Sequence, residues 1–146
     1  MEIPANIQNT IARNAIRKGD VYLVTMNADN GITPHDGYTT RDKYFVVLGF
    51  DSDGNVYGGV VINSKINVNL AKRIADFHYP IKSSKYRFLS HDSFIDCSRL
   101  KVVRLEKLLE GRYVGEIEKS DIDLIVGTVI ESPMEQRIRL RQFGLV

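Results

Sequence analysis

Tyr44-Phe-Val-Val-Leu-Gly-Phe50, Asp51-Ser-Asp-Gly54 and Asn55-Val-Tyr-Gly-Gly-Val-Val-Ile62 decide the fold. Two β-branched and aromatic runs flank a short Asp-Gly turn, the strongest local signal for an antiparallel hairpin. Gly58-Gly59 inside the second run marks a bulge rather than a nucleotide-binding loop. Upstream, Val21-Tyr-Leu-Val-Thr-Met26 has the same composition and reads as a preceding strand, entered through Lys18-Gly19-Asp20. Residues 5 to 17 place Ile7, Ile11 and Ile16 near helical spacing, which predicts a short N-terminal helix.

Downstream, Val68 to Phe77 fits either a helical turn or an extended excursion. Tyr86-Arg-Phe-Leu89 and Ser93-Phe-Ile-Asp-Cys97 read as a further pair of short strands, followed by Leu100-Lys-Val-Val-Arg-Leu105. Ile122, Ile125, Val129 and Ile130 share one helical face, with Ser120 as the expected N-cap, Asp121 and Asp123 suiting the helix dipole, and Pro133 marking the end. In the tail, Arg137, Arg139 and Arg141 alternate with Ile138 and Leu140, a period of two that predicts an edge strand or a strand formed on a partner. The expected architecture is α+β and mostly β: a small, partly open antiparallel barrel with a C-terminal helix and a short N-terminal helix.

The chain of 146 residues, 43% hydrophobic and 26% charged, matches one ordinary globular domain. No apolar run approaches the roughly 20 residues of a membrane span, and the first residues lack the blocks of a signal peptide. A single cysteine, Cys97, makes no internal disulfide and reads as a buried apolar side chain. A cytoplasmic location is expected, with no membrane partner. The net charge of +2 permits an anionic partner without demanding one.

Between the first two strands lies Gly31-Ile-Thr-Pro-His-Asp-Gly-Tyr-Thr-Thr-Arg-Asp-Lys43, which gathers His35, Asp36, Tyr38, Arg41 and Lys43 on one connection. Long polar loops on a rigid scaffold are where binding and catalytic groups concentrate. These side chains can titrate, donate and grip phosphate. No Cys or His cluster has metal-ligand spacing and no glycine-rich phosphate loop is present, so no cofactor or metal is expected. Ser93 beside His91 and Asp92 has hydrolase residue types, but adjacency in sequence does not make a triad.

Lys18-Gly-Asp-Val-Tyr-Leu-Val24, the loop closing on Thr40-Arg41 and the strand Phe45-Val-Val-Leu48 together resemble the MazF/PemK (Kid) toxins of bacterial toxin–antitoxin pairs. A second stretch, His91-Asp-Ser-Phe-Ile-Asp-Cys97 through Arg104-Leu-Glu-Lys-Leu108, resembles the family's cysteine-bearing strand and the turn after it. The similarity runs over roughly residues 18 to 131, leaving residues 1–17 as an N-terminal helical extension and 132–146 as a basic tail of a single domain. It implies an SH3-like barrel, usually a homodimer, that cleaves single-stranded RNA without a metal to 2′,3′-cyclic phosphate and 5′-hydroxyl ends. It also implies neutralisation by a small antitoxin protein.

That chemistry needs proton-transfer groups and positive charge on the phosphorane-like transition state. Arg41 is the first candidate for the phosphate, its planar fork suiting two oxygens; the alternative is a solvated ion pair with Asp36 or Asp42. His35 is the candidate for proton transfer, with an exposed loop histidine as the plain alternative. His78 and His91 have weaker cases. The family's proline after the loop arginine is replaced by Asp42-Lys43, so Lys43 competes with Arg41 for the phosphate position. Asp96 and Ser98 stand where Kid-type members carry an arginine and an aspartate, and Asn63-Ser64 falls where other members use a strand-end Thr or Ser; a turn-forming serine is the simpler reading of Ser64. RNA contacts are expected from Lys43, Asn63, Lys65 and Arg99, with Lys82, Lys85 and Arg87 as further cations and Tyr38, Tyr44 or Tyr79 available for stacking. Two other functions remain open at this point: a non-catalytic barrel that binds nucleic acid or peptide, and a gyrase-poisoning relative that depends on its C-terminal residues.

Overall fold

The computed structural model describes residues 4–32 and 37–146. The hairpin forms where the Asp-Gly turn requires it. Strand β2 (Arg41–Phe50) pairs antiparallel with β3 (Val56–Asn63), Tyr44 opposite Ile62 and Phe50 opposite Tyr57. Asp51 makes the reversal: its carbonyl accepts the Gly54 amide, and its carboxylate accepts the amides of Asn55 and Val56. Gly54 supplies the left-handed φ of 69° that this turn needs.

Strand β1 (Asp20–Met26) pairs with β2 on one side and with β6 (Arg112–Glu116) on the other, while β3 pairs with the long β5 (Ser93–Arg104) and β5 with the short β4 (His78–Ile81). The result is a six-stranded antiparallel sheet in the order β4-β5-β3-β2-β1-β6, an α+β chain with β predominating. The bulge expected at Gly58-Gly59 falls on the facing strand instead: the extra residue is Leu48 of β2, opposite these glycines. A Cβ at Gly59 would sit 2.0 Å from the Val46 carbonyl oxygen, so the close approach excludes any larger residue.

Alternation along the strands divides the sheet into two faces. On the first, Val46, Leu48, Val60, Ile62, Ile95 and Cys97 meet Ile122, Ile125 and Val129 of helix α4 (Lys119–Glu131). On the second, Phe45, Val47, Tyr57, Val61 and Val103 are covered by Leu105 and Leu108 of α3 (Leu105–Glu110) and by Ile16, just past α1 (Ala5–Ala15). That cover stops short of the end where β2, β3 and β5 carry polar residues.

Three expectations need correction. Ser120 does not cap α4; Glu118 holds the N-cap position without a side-chain cap. The helix starts early because the chain before it is pinned, the Ile117 amide donating to the Gly19 carbonyl and the Glu118 amide to the Tyr86 hydroxyl. Tyr86 to Leu89 forms turns rather than a strand, with the Leu89 amide bonded to the Tyr86 carbonyl and both side chains buried on the α4 side. The tail is a helix, α5 (Arg137–Gln142), rather than an edge strand. The buried residues, Leu140 and Phe143, are three apart, a spacing that shares a helical face but that a period of two would split between opposite faces.

The tail also has a job that a pairing strand would not do. β4 covers β5 only as far as Asp96; the Cys97 amide then donates to the Phe77 carbonyl and the Ser98 amide to Asp96, and backbone groups beyond these are met by tail side chains. The Ser132 hydroxyl donates to the Ser98 carbonyl at 2.5 Å, Glu135 accepts the Leu100 amide at 2.6 Å, and Arg139 donates to the Leu100 carbonyl at 2.9 Å. These bonds satisfy buried backbone that would otherwise be stranded.

Asp121 ties α4 to the sheet edge. One carboxylate oxygen accepts the Tyr79 hydroxyl at 2.7 Å, and the other accepts the Tyr86 hydroxyl and lies 2.9 Å from Lys85 Nζ. Burial pushes this carboxyl up, but the bonds from Lys85, Tyr86 and Tyr79 outweigh it and leave its pKa below 3.8. A depressed native pKa stabilises the fold above the unfolded value and is lost as pH falls through the native one. Asp121→Asn is therefore expected to cost about 1–3 kcal/mol at pH 7. In urea unfolding, the gap between variant and wild type should close as the pH drops below about 4.

Candidate functional site

The polar end of the second face is built by strand alternation. Lys43, Phe45 and Val47 point the same way along β2, so Lys43 continues an apolar row into the sheet and is only 7% exposed. Asn63 ends β3 one residue beyond the Tyr44–Ile62 pair, and its side-chain oxygen accepts the Lys43 ammonium. On β5, Asp96 lies opposite both Val61 and His78, and Lys101 lies opposite Gly59. The register between β3 and β5 slips between these two contacts, which brings Asp96 and Lys101 to the same opening despite their odd spacing.

These residues line a cleft of about 500 Å³ together with Arg41 at the start of β2, Ser64 and Lys65 after β3, and Ile66, Val68, Leu70 and Ile74 from the segment leading into α2 (Lys72–Ala75). That volume lies within the range of small-molecule sites. Among the described lining residues four cations, Arg41, Lys43, Lys65 and Lys101, face a single carboxylate, Asp96. Burial, then the repulsion of Arg41 and Lys101, lowers Lys43 to about 8 against the partial pull of Asp96. Burial also lowers Lys101. Desolvated, mutually repelling ammonium groups are a standing demand for an anion.

His78 forms the floor, its side chain 2% exposed. Nδ1 donates to the Ile74 carbonyl at 3.0 Å, because a carbonyl only accepts, so Nε2 is the ring nitrogen that can take up a proton in the neutral imidazole. Nε2 lies 4.0 Å from Asp96 Oδ1, beyond direct hydrogen bonding but near enough for both to reach one hydroxyl placed between them. Asp96 is held by Ser98, whose amide and hydroxyl donate to the same Oδ1 at 3.0 and 2.6 Å.

Of the residues singled out in the sequence, Arg41, Lys43, Asn63, Ser64, Lys65 and Asp96 meet in this cleft. Both Arg41 and Lys43 line it. Ser98 is buried behind Asp96 and orients it. Tyr38, 72% exposed, and Arg99, which donates to the Met134 carbonyl at 3.3 Å, are not among the described lining residues. His35 and Asp36 lie outside the described residues. The residues undervalued in the sequence are His78 and Lys101. The alternation of His78 with Tyr79 and Ile81 was the available signal for a strand that points His78 away from the α4 side.

The chain matches no protein-family model and no curated protein.

Proposed function

We propose that the chain is an endoribonuclease on an SH3-like, partly open barrel of the MazF/PemK type, cutting single-stranded RNA in this cleft without a metal. The carrying observation is the convergence of Arg41, Lys43 and Lys101 on one cleft whose floor is the His78–Asp96 pair. In the reaction the ribose 2′-oxygen attacks the adjacent phosphorus as its proton passes to His78 Nε2. The bond from phosphorus to the 5′-oxygen breaks, and the Lys43 ammonium protonates the leaving oxygen. An ammonium with a pKa of about 8 is a better acid at cellular pH than an ordinary lysine. Arg41 and Lys101 carry the charge that builds on the phosphorane oxygens. The products are a 2′,3′-cyclic phosphate and a 5′-hydroxyl.

The six antiparallel strands with α4 against one face support the barrel, and the resemblance of residues 18 to 131 supports a homodimeric toxin held in check by a small antitoxin. Membrane attachment has no part in this reading; among the described residues no helix is long and apolar enough to cross a bilayer.

The test incubates the purified protein with single-stranded RNAs of varied sequence in the presence of a chelator. Wild type is expected to leave cyclic phosphate ends, a 2′-deoxy substitution at the cut site to block the reaction, and Arg41→Ala to slow it about tenfold or more. If no RNA is cut while binding falls steeply with salt, the chain is a binding module instead.

A further inference from the structure

The two walls of the cleft differ in chemistry, and the difference names what lies between them. One wall carries Arg41, Lys43 and Lys101; the other presents Ile66, Val68, Leu70 and Ile74. Val68 is 94% exposed. Its neighbours form turns within the segment: the Asn69 amide donates to the Asn67 side chain at 2.9 Å, the Leu70 amide to the Asn67 carbonyl at 3.1 Å, and the Ile74 amide to the Ala71 carbonyl at 2.9 Å. These bonds narrow the conformations open to the aliphatic segment, which lowers the ordering cost of binding.

We infer that this wall is a nucleobase subsite, so that the cleft seats one nucleotide unit of the strand with its base against Ile66–Leu70 and its phosphate on the cationic wall. The inference rests on the RNA reading of the cleft and adds to it a contact away from the reacting atoms. A free phosphate would leave the aliphatic wall wet. An acyl phosphate would satisfy both walls, but Asn63, Ser64 and Asn67 line the same cleft and suit the polar edge of a base better than a hydrocarbon chain. A base has an apolar face and a hydrogen-bonding rim, and a volume of about 500 Å³ accommodates one nucleotide rather than a stack of several.

The experiment measures binding of a labelled 2′-fluoro hexanucleotide, which lacks the attacking 2′-hydroxyl, and of a scan in which each base in turn is removed. Nucleoside 3′-monophosphates and dodecyl phosphate are run as competitors. Wild type is expected to lose about tenfold in affinity at one abasic position. Leu70→Ser and Val68→Ser should weaken the intact strand and no longer distinguish it from that abasic strand. Val68 is so exposed that its replacement leaves folding alone, and the melting temperature checks Leu70→Ser. The nucleoside 3′-monophosphates are expected to compete and dodecyl phosphate is not. Equal binding of all abasic strands, no binding of any strand, or displacement by dodecyl phosphate but not by nucleotides overturns the subsite. RNA cleavage without base dependence would sink the subsite and leave the nuclease standing. Base-dependent binding without cleavage would do the reverse.

Discussion

Lys43→Met is expected to reduce RNA cleavage by about 10²–10³-fold and to make the protein more stable, by about 1–2 kcal/mol at pH 7 after allowing for solvent screening. Both effects come from the same placement. Lys43 takes a position that its own strand would fill with an apolar residue, in line with Phe45 and Val47, and its nearest partner is the neutral Asn63 side chain. The fold therefore carries a desolvated ammonium with Arg41 and Lys101 also raising its cost, which is why its pKa falls to about 8. A lysine titrates near 10.5 in the unfolded chain. Between about 8 and 10.5 the unfolded state holds a proton that the native state has released, so wild-type stability should rise with pH across that window. Below about 8 both states are protonated and the native state bears the full cost of the buried charge. Methionine keeps the volume and removes the charge, so its urea midpoint should exceed wild type at pH 7 and lose this pH dependence. With Lys43 as the acid, wild-type cleavage should decline above pH 8, and the residual activity of the variant should lack that decline. A variant that is less stable than wild type at pH 7, or that cuts RNA at the wild-type rate, would show that Lys43 is a structural lysine. A site that is costly to fold and needed for chemistry is the usual sign of stability given up for function.

What could be read ahead of the structure was whatever a short window contains. Asp51 to Gly54 specifies its own reversal, and the strands beside it alternate plainly, so the β2–β3 hairpin was legible; Arg41 and Lys43, expected on the preceding loop, instead begin β2, because Thr25 and Met26 of β1 extend the pairing to Asp42 and Arg41. Asp96 was found only because the stretch around Cys97 resembles a known pattern. Lys101 was not found, since its arrival at the cleft depends on a register slip between β3 and β5 that no local signal encodes. His78 sits on a strand of four residues that exists because β5 offers it an edge. The tail misled for a related reason: its alternating arginines have a period of two in sequence, yet the backbone of β5 needed side-chain partners at Ser98 and Leu100, and Ser132, Glu135 and Arg139 supply them. Tertiary demand overrode local pattern there, as it did at Ser120.

Phe143→Ala is expected to destabilise the protein by about 3–5 kcal/mol, the cost of emptying a well-packed aromatic site. Phe143 is 2% exposed and packs against the first face beside Leu140. The sheet has been shaped around it: a Cβ at Gly58 would lie 2.6 Å from its ring, and a Cβ at Gly49 only 2.1 Å from its carbonyl oxygen. Two adjacent strands thus give up side chains to admit one residue of the tail, and a cavity walled by glycine backbone cannot collapse as readily as one walled by flexible side chains. The same geometry predicts a coupling. Gly58→Ala alone should cost about 1–3 kcal/mol by overpacking, but in the Phe143→Ala background the ring that the new methyl would strike is gone, so the two losses should not add. Urea unfolding of the four proteins in the cycle measures it. Strict additivity, or a loss below 1 kcal/mol for Phe143→Ala, would mean that the tail is an appendage. The outcome also governs how any tail deletion is to be read: removing residues that anchor α5 and cap β5 takes away part of the core, so a loss of growth arrest after such a deletion would report unfolding rather than a tail that acts on a partner protein.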